Sequence, residues 1–579
     1  MTMNAVSQTV ENERPRYRAI TALVVVLAAL VFVAIFFPLG IILQRALLPN
    51  WKPDFALWAT TLSQPDLMVA VRNTLIIAFL NTIISVPIGI FFAWLVERTD
   101  ARWGALSRLL PVIPLLLPPV AMTIGWLFLA DPRAGFLAAP LQSLFKMLGL
   151  AIDPSALAVQ SWGGLVLLYV LFSVPHVYVV AAAAFGSLDP SLEEAARIFG
   201  KGRLKCFWSI SVPAIRHAVG SSALLTIISS FGLYSIPALL GTAARIDVLS
   251  VYIYRLLNAS YPPKIGQAVV LGVVLIVVIG LLWLTQRRIA SSTGHAQIGG
   301  MGVRPNLIGL GAWRWPARIL LLLYVTLTSI LPLLALFVVS LQPFWRSTIV
   351  FDQLSFANFF EFWSDRQSRT AIINSAWLAV LTTTAVVLIA GILSIVGRNI
   401  GGAKEKWLGV LTKVPSAIPH IVFAVGVLVT FGFAPFFLNG TWLIIFICYL
   451  AVYIPQASIA AESAVQQVGN QLVEASRIFG ARPGRTFRTV QLPLILPGLA
   501  AGWALIFTLV VGELNAAAIL AGPRNPVIGY LILALFDNGT YSQLAALGSI
   551  IGIVSGITVS AALLFARPRF SGKAGSSGD

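Results

Sequence analysis

ITALVVVLAALVFVAIFFPLGIILQRA, residues Ile20–Ala46, carries a single charge, Arg45, near its far end. A helix needs about 20 mainly apolar residues to cross about 30 Å of hydrocarbon, and this run is long enough. It exceeds a signal-peptide core and no small-x-small cleavage pattern follows it, so we read it as a retained span. Eleven further segments share its character. The expected spans are 19–44, 70–96, 107–130, 163–186, 217–241, 266–286, 317–341, 372–397, 408–435, 441–462, 496–520 and 543–566. Their length and uniform apolarity predict helices rather than a barrel, because a helix satisfies its own backbone in lipid.

Composition points the same way. Hydrophobic residues make up 58% of the 579 and charged residues 10%, and the mean hydropathy is +0.89. Soluble chains are about a quarter charged, and water-soluble cores stop growing near ~250–300 residues. The solvent for this surface is the lipid bilayer. The net charge of +18 does not indicate nucleic acid, because the basic residues lie in short clusters between apolar runs. With the N-terminus in the cytoplasm, 27 of the 39 basic residues fall on the inner side. The expectation is an all-α polytopic membrane protein with both termini cytoplasmic.

The chain repeats itself. Glu194-Ala195-Ala196-Arg197-Ile198-Phe199-Gly200 returns as Glu474-Ala475-Ser476-Arg477-Ile478-Phe479-Gly480, an offset of 280. Trp162 matches Trp442, Tyr169 matches Tyr449, Pro175 matches Pro455, and Pro213 matches Pro493. Earlier in each half the offset is 301, pairing Asn73 with Asn374, Pro114 with Pro415, and Pro118 with Pro419. The 21-residue difference falls in the loop around Asp131–Gly164. Twelve spans therefore divide into two parallel six-helix repeats. The predicted layout is a 1–18 cytoplasmic segment, a first half 19–288 and a flexible glycine-rich linker 289–316. A second half 317–566 and a cytoplasmic tail 567–579 complete it.

Each half carries one loop of the same design, about 187–215 and about 464–495. In the first, Asp189-Pro190 suits a helix start, with a short helix expected over Leu192–Phe199. Gly200 can stop that helix in a left-handed conformation. The second loop repeats this plan to Gly480 and then runs Val490-Gln491-Leu492-Pro493. Apolar Ile198/Phe199 and Ile478/Phe479 at the tips are costly to expose unless a partner covers them.

These loops resemble the EAA motif of ABC importer permeases: Glu-Ala-Ala, three residues, Gly, nine residues, Ile-x-Leu-Pro. The first copy departs at Val212, the second at Ser476 and Val490; both keep Glu, Gly and Pro. The resemblance implies that each loop couples to one of two cytoplasmic ATPase subunits. The implied coupling residues are Glu194, Ala195, Ala196, Gly200 and Pro213, and Glu474, Ala475, Ser476, Gly480 and Pro493. It implies further that a periplasmic solute-binding protein delivers the cargo. The fused two-half form is similar to ferric-iron transport permeases, with 2-aminoethylphosphonate, thiamine, polyamine or sulfate as alternative cargoes.

No Gly-x4-Gly-Lys-Ser/Thr stretch occurs, so ATP is expected to be hydrolysed in a separate subunit. Cys206 and Cys448 suggest no disulfide framework, and the four histidines have no metal-ligand spacing. No catalytic residue, cofactor or resident metal is expected. Ionisable groups within spans are functional candidates. Glu513, placed inside the eleventh span beside Asn515, is one; its repeat partner is Leu233. His176 after Pro175 and His420 after Pro419 complete the pore or gate candidates. An ion-coupled carrier is the competing reading, and a membrane-embedded enzyme a further one. A carrier of that kind usually places several charges in its spans, and Glu513 is nearly alone.

Overall fold

The computed structural model describes residues 3–565 except 54, 105, 148, 150–157, 292–306 and 482. The tail 567–579 and most of the linker lie outside the described residues. Helices dominate, and among the described residues the one β feature is a parallel bridge between Thr99 and Ile308.

In chain order the first half holds α1 (Met3–Leu47), α2 (Pro65–Arg98), α3 (Ser107–Leu116), α4 (Pro119–Ala130), α5 (Trp162–Ser187), α6 (Ser191–Ile198), α7 (Arg203–Ala214), α8 (Arg216–Gly232), α9 (Leu249–Asn258) and α10 (Ile265–Ser291). The second holds α11 (Gly311–Leu341), α12 (Arg366–Ile400), α13 (Gly402–Ala417), α14 (His420–Phe431), α15 (Trp442–Gln467), α16 (Asn470–Ile478), α17 (Gly484–Val511), α18 (Ile528–Asp537) and α19 (Tyr541–Phe565).

Nine helices among the described residues are long and apolar enough to cross a membrane; counting each bent pair as one span gives up to twelve. Bends interrupt the spans expected at 107–130 and 408–435, and a third bend, at Ile215, precedes the span expected at 217–241, whose helix α8 ends at Gly232. α3 meets α4 at 89°, α7 meets α8 at 77°, and α13 meets α14 at 100°. Prolines explain two of the bends. Pro118 and Pro419 sit at the breaks, and a proline forces the residue before it out of the helical region. The span expected over 496–520 is also shorter. α17 ends at Val511, and a separate short helix covers Ala517–Leu520. Glu513 therefore lies in the turn between these two helices rather than inside a continuous helix.

The same contacts recur in the two halves. Asn73 Nδ2 donates to Asp247 O at 2.9 Å, and Asn374 Nδ2 donates to Pro526 O at 2.9 Å. One residue on, Thr74 Oγ1 accepts from Leu249 N and Ser375 Oγ accepts from Ile528 N. Each pair ties a long helix (α2 or α12) to the start of a short one (α9 or α18). The two asparagines are thus joints between elements.

The halves also clasp one another. α1 packs on α14 and α11 packs on α4, so each half's first helix lies against the other half. Glycines let the backbones close up, as is common between helices in lipid. A Cβ on Gly125 would fall 2.6 Å from Pro332, and one on Gly426 would fall 2.6 Å from Ile42. Trp126 Nε1 donates across the same junction to Leu327 O at 3.1 Å. Leu23, Val25, Val26 and Leu30 on α1 remain exposed, as a lipid-facing surface requires.

The linker corrects the expectation of flexibility over its last stretch. Ile308 N donates to Arg98 O, and Asp100 N donates to Ile308 O. Leu310 N bonds Asp100 Oδ1 at 2.7 Å, and Arg203 Nη1 bonds Leu310 O at 2.8 Å. Residues 307–310 are pinned between the end of α2 and the first loop.

Candidate functional site: two knobs and a buried junction

The first loop forms a compact knob from α6 and α7. Asp189 Oδ1 accepts from Ser191 N at 2.9 Å and caps α6, and this bond holds the Asp189 carboxyl below the usual carboxylate range. The helix then stops on Gly200 at φ +79°, where Lys201 N bonds Ala196 O at 3.0 Å. The second knob stops on Gly480 at φ +77°, where Ala481 N bonds Ser476 O at 3.1 Å. This six-to-one closure needs a left-handed residue, which glycine adopts without a Cβ penalty.

Both knobs continue through a short π turn, Phe207–Ser211 and Phe487–Gln491, before Pro213 and Pro493. Ser476, a departure from the motif, has a local explanation. Its Oγ lies 3.0 Å from Thr486 Oγ1. At the matching positions of the first knob stand Ala196 and Cys206, both buried. The second knob thus has a hydroxyl pair at positions where the first has two buried residues of other kinds.

The knob tips are bare. Ile198 and Phe199 are 83% and 86% exposed, and Ile478 and Phe479 are 83% and 90% exposed. Glu194 is half-buried and Glu474 exposed, and among the described residues neither has a side-chain partner within the chain. Ala195 and Ala475 lie beside them on the same helices, each accepting a bond from the phenylalanine at the tip.

Sequence reasoning missed Glu193. Its carboxylate is buried against Arg98 at 2.7 Å and accepts from Ser211 Oγ at 2.6 Å. Arg98 also reaches Leu188 O at 3.2 Å. This cluster fastens the first knob to the end of α2. The second knob has Val473 and Gln491 where the first has Glu193 and Ser211, so it lacks this anchor. The signal available in sequence was the doubled Glu193-Glu194 against the single Glu474.

The other expected residues divide. Glu513 Oε2 accepts from His420 Nδ1 at 3.1 Å and from the Tyr453 hydroxyl, and Oε1 accepts from Ala516 N at 3.0 Å. Tyr453, on α15, was not anticipated. Asn515 Oδ1 lies 3.3 Å from Tyr234 N and 3.4 Å from Ser235 Oγ. Ser235 and Asn515 are repeat counterparts, so equivalent points of the two halves touch here. His176 stands apart. It is exposed on α5, with Nδ1 3.1 Å from Phe172 O, and it shares no bond with the other three.

Two glycine–proline contacts flank this junction. Gly512 packs on Pro118 and Gly232 on Pro419, which are again equivalent pairs. They are not equally tight. A Cβ on Gly512 would fall 2.4 Å from Pro118 Cβ, whereas one on Gly232 would sit 3.6 Å from Pro419 Cβ. Gly512→Ala is therefore expected to destabilise the protein by about 1–3 kcal/mol through overpacking. Gly232→Ala is expected to be close to neutral. Thermal midpoints of the two purified variants, followed by size-exclusion fluorescence, check the contrast.

Long apolar helices, a lipid-facing surface and paired knobs define a multi-pass membrane protein. Comparison with known proteins specifies which one. The family model for the binding-protein-dependent transport system inner membrane component matches residues 85–291 and 387–571, together more than half of the chain, and the chain belongs to that family. It is a permease of an ABC transport system and resides in the inner membrane. The ferric transport system permease protein FbpB of Actinobacillus pleuropneumoniae is 23% identical over 504 residues, covering 85% of this chain and 70% of that one. The Fe(3+)-transport system permease protein FbpB 2 of Haemophilus influenzae is 24% identical, covering 84% and 87%. A putative 2-aminoethylphosphonate transport system permease protein PhnV of Salmonella paratyphi A is 27% identical over 185 residues, covering 31% and 70%.

Proposed function

We propose that this chain supplies both halves of the translocation pathway of an importer that carries ferric iron into the cytoplasm. The observation that carries the reading is the pair of glycine-terminated knobs on one polypeptide, each with a bare Ile-Phe tip and a glutamate that has no side-chain partner among the described residues. In this reading the halves are parallel repeats and both termini are cytoplasmic. Each knob seats in one ATPase subunit. A periplasmic binding protein delivers the cargo from the other side. ATP binding draws the ATPases together, the knobs follow, and the bent helices at the junction of the halves change which side is open. Family members that match over most of both halves are ferric permeases, and this supports iron as cargo.

The cargo is tested with the permease, its ATPase and its binding protein reconstituted in vesicles. Uptake of radioactive iron is expected to saturate and to resist a large excess of 2-aminoethylphosphonate. Uptake of the phosphonate in place of iron would replace the cargo assignment.

A further inference from the structure

We propose that Glu513, Tyr453 and His420 form a transient binding site for the ferric cargo at the junction of the two halves. The inference rests on the ferric reading above and names where in the pathway the ion is held.

A trivalent ion is the hardest cargo to bring through a bilayer, because the cost of leaving water rises steeply with charge. The pathway must offer it anionic oxygen at depth. Glu513 does so. Its side chain is 4% exposed, against 28% for the His420 ring, so the imidazole is the open edge of an otherwise closed cluster. Both His420 Nδ1 and the Tyr453 hydroxyl converge on one carboxylate oxygen, Oε2. The Nδ1 to Oε2 separation is 3.1 Å. For metal–ligand bonds of about 2.1 Å, neighbouring donors of an octahedral site lie about 3 Å apart. The spacing therefore suits one ion bridging them after a small outward shift.

The donor set is of the right hardness. Carboxylate, phenolate and imidazole are oxygen and nitrogen donors. On binding, Fe³⁺ takes the carboxylate, the Nδ1 lone pair with the ring proton on Nε2, and the phenolate. The phenolic proton leaves to water. Carboxylate and phenolate together cancel two of the three positive charges. Iron keeps its oxidation state throughout.

Fold symmetry does not require this cluster. The repeat counterparts of His420, Tyr453 and Glu513 are Pro119, Ser173 and Leu233. The first half builds the same junction with no titratable group at these points. The second half thus carries three polar, hard donors where packing alone is satisfied by apolar or small residues. Their place also fits transit. Glu513 follows Gly512 and His420 follows Pro419, so both sit directly beside the glycine–proline contacts between halves. A rearrangement of the bent helices would open or close the cluster.

The test uses the purified chain titrated with ferric nitrilotriacetate, and the full complex in vesicles. Phenolate bound to Fe³⁺ gives a visible charge-transfer band, which the wild-type chain is expected to show. Tyr453→Phe should abolish the band, and Glu513→Gln should weaken iron binding about tenfold or more. Both replacements keep shape, and monodispersity with retained ATPase stimulation shows that the variants are folded. In vesicles, these variants and His420→Gln should lower iron uptake about tenfold or more while ATP hydrolysis continues. Wild-type iron uptake in all three variants, with no band in the wild-type chain, would overturn the site and leave the ferric reading standing. If the wild-type complex moves another solute and no iron, the ferric reading falls and the site falls with it.

Discussion

Glu194→Ala combined with Glu474→Ala is expected to reduce solute uptake at least tenfold while the chain still inserts and purifies normally. The two carboxylates sit on the knobs, and among the described residues they bond nothing in their own chain. Removing them therefore leaves no unpaired group behind in the permease, and stability should hold. Their expected partners are basic or N–H groups in the ATPase clefts. A charged contact buried at such an interface costs about 2–5 kcal/mol when truncated, and each 1.4 kcal/mol is tenfold in affinity. Each single variant should show a smaller loss, because the other knob remains engaged. The assay is uptake in vesicles together with ATPase co-purification. Full uptake in the double variant would remove the glutamates from the coupling contact.

Glu193→Ala should act differently although it is the adjacent residue. It strips the partner from Arg98, whose side chain is 4% exposed, and leaves Ser211 without its acceptor. Breaking a buried ion pair from one side costs about 3–5 kcal/mol, because the remaining charge stays desolvated. The knob should then become protease-sensitive around Gly200 and the thermal midpoint should drop. Arg98→Met with Glu193→Leu should recover most of the loss, since a buried pair replaced by apolar residues is often neutral. The second knob should be untouched, because it is built without this anchor. A Glu193→Ala protein as stable as wild type would mean that the pair contributes nothing to fixing the knob.

The contrast between Glu193 and Glu194 explains what was readable in sequence. The repeat exposed Glu194 because Glu474 stands at the same place. Glu193 has no counterpart, and adjacent helical residues point about 100° apart, so one faces inward and the other outward. The knobs were legible because glycine at a left-handed position and proline before the next span are local requirements. The bends at Pro118 and Pro419 were not, because apolarity averaged over a window continues through a kink. The end of α17 before Glu513 was not legible for the same reason. Apart from Asn515, Leu514 to Leu520 stay apolar after α17 has ended at Val511. Residues 307–310 are held through their own backbone groups, which leave little trace in their side-chain pattern. Tyr453 is one aromatic among many in an apolar span, and only its hydroxyl bond to Glu513 sets it apart. The clasp of α1 on α14 and α11 on α4 was equally hidden, since hydropathy locates spans and does not say which neighbours they choose.

The most direct trial of the coupling account is uptake into sealed vesicles carrying the purified chain with and without its ATPase and ATP. Transport that needs both, and that stops when hydrolysis is blocked, is the predicted result. Transport at full rate by the chain alone, without nucleotide, would contradict it.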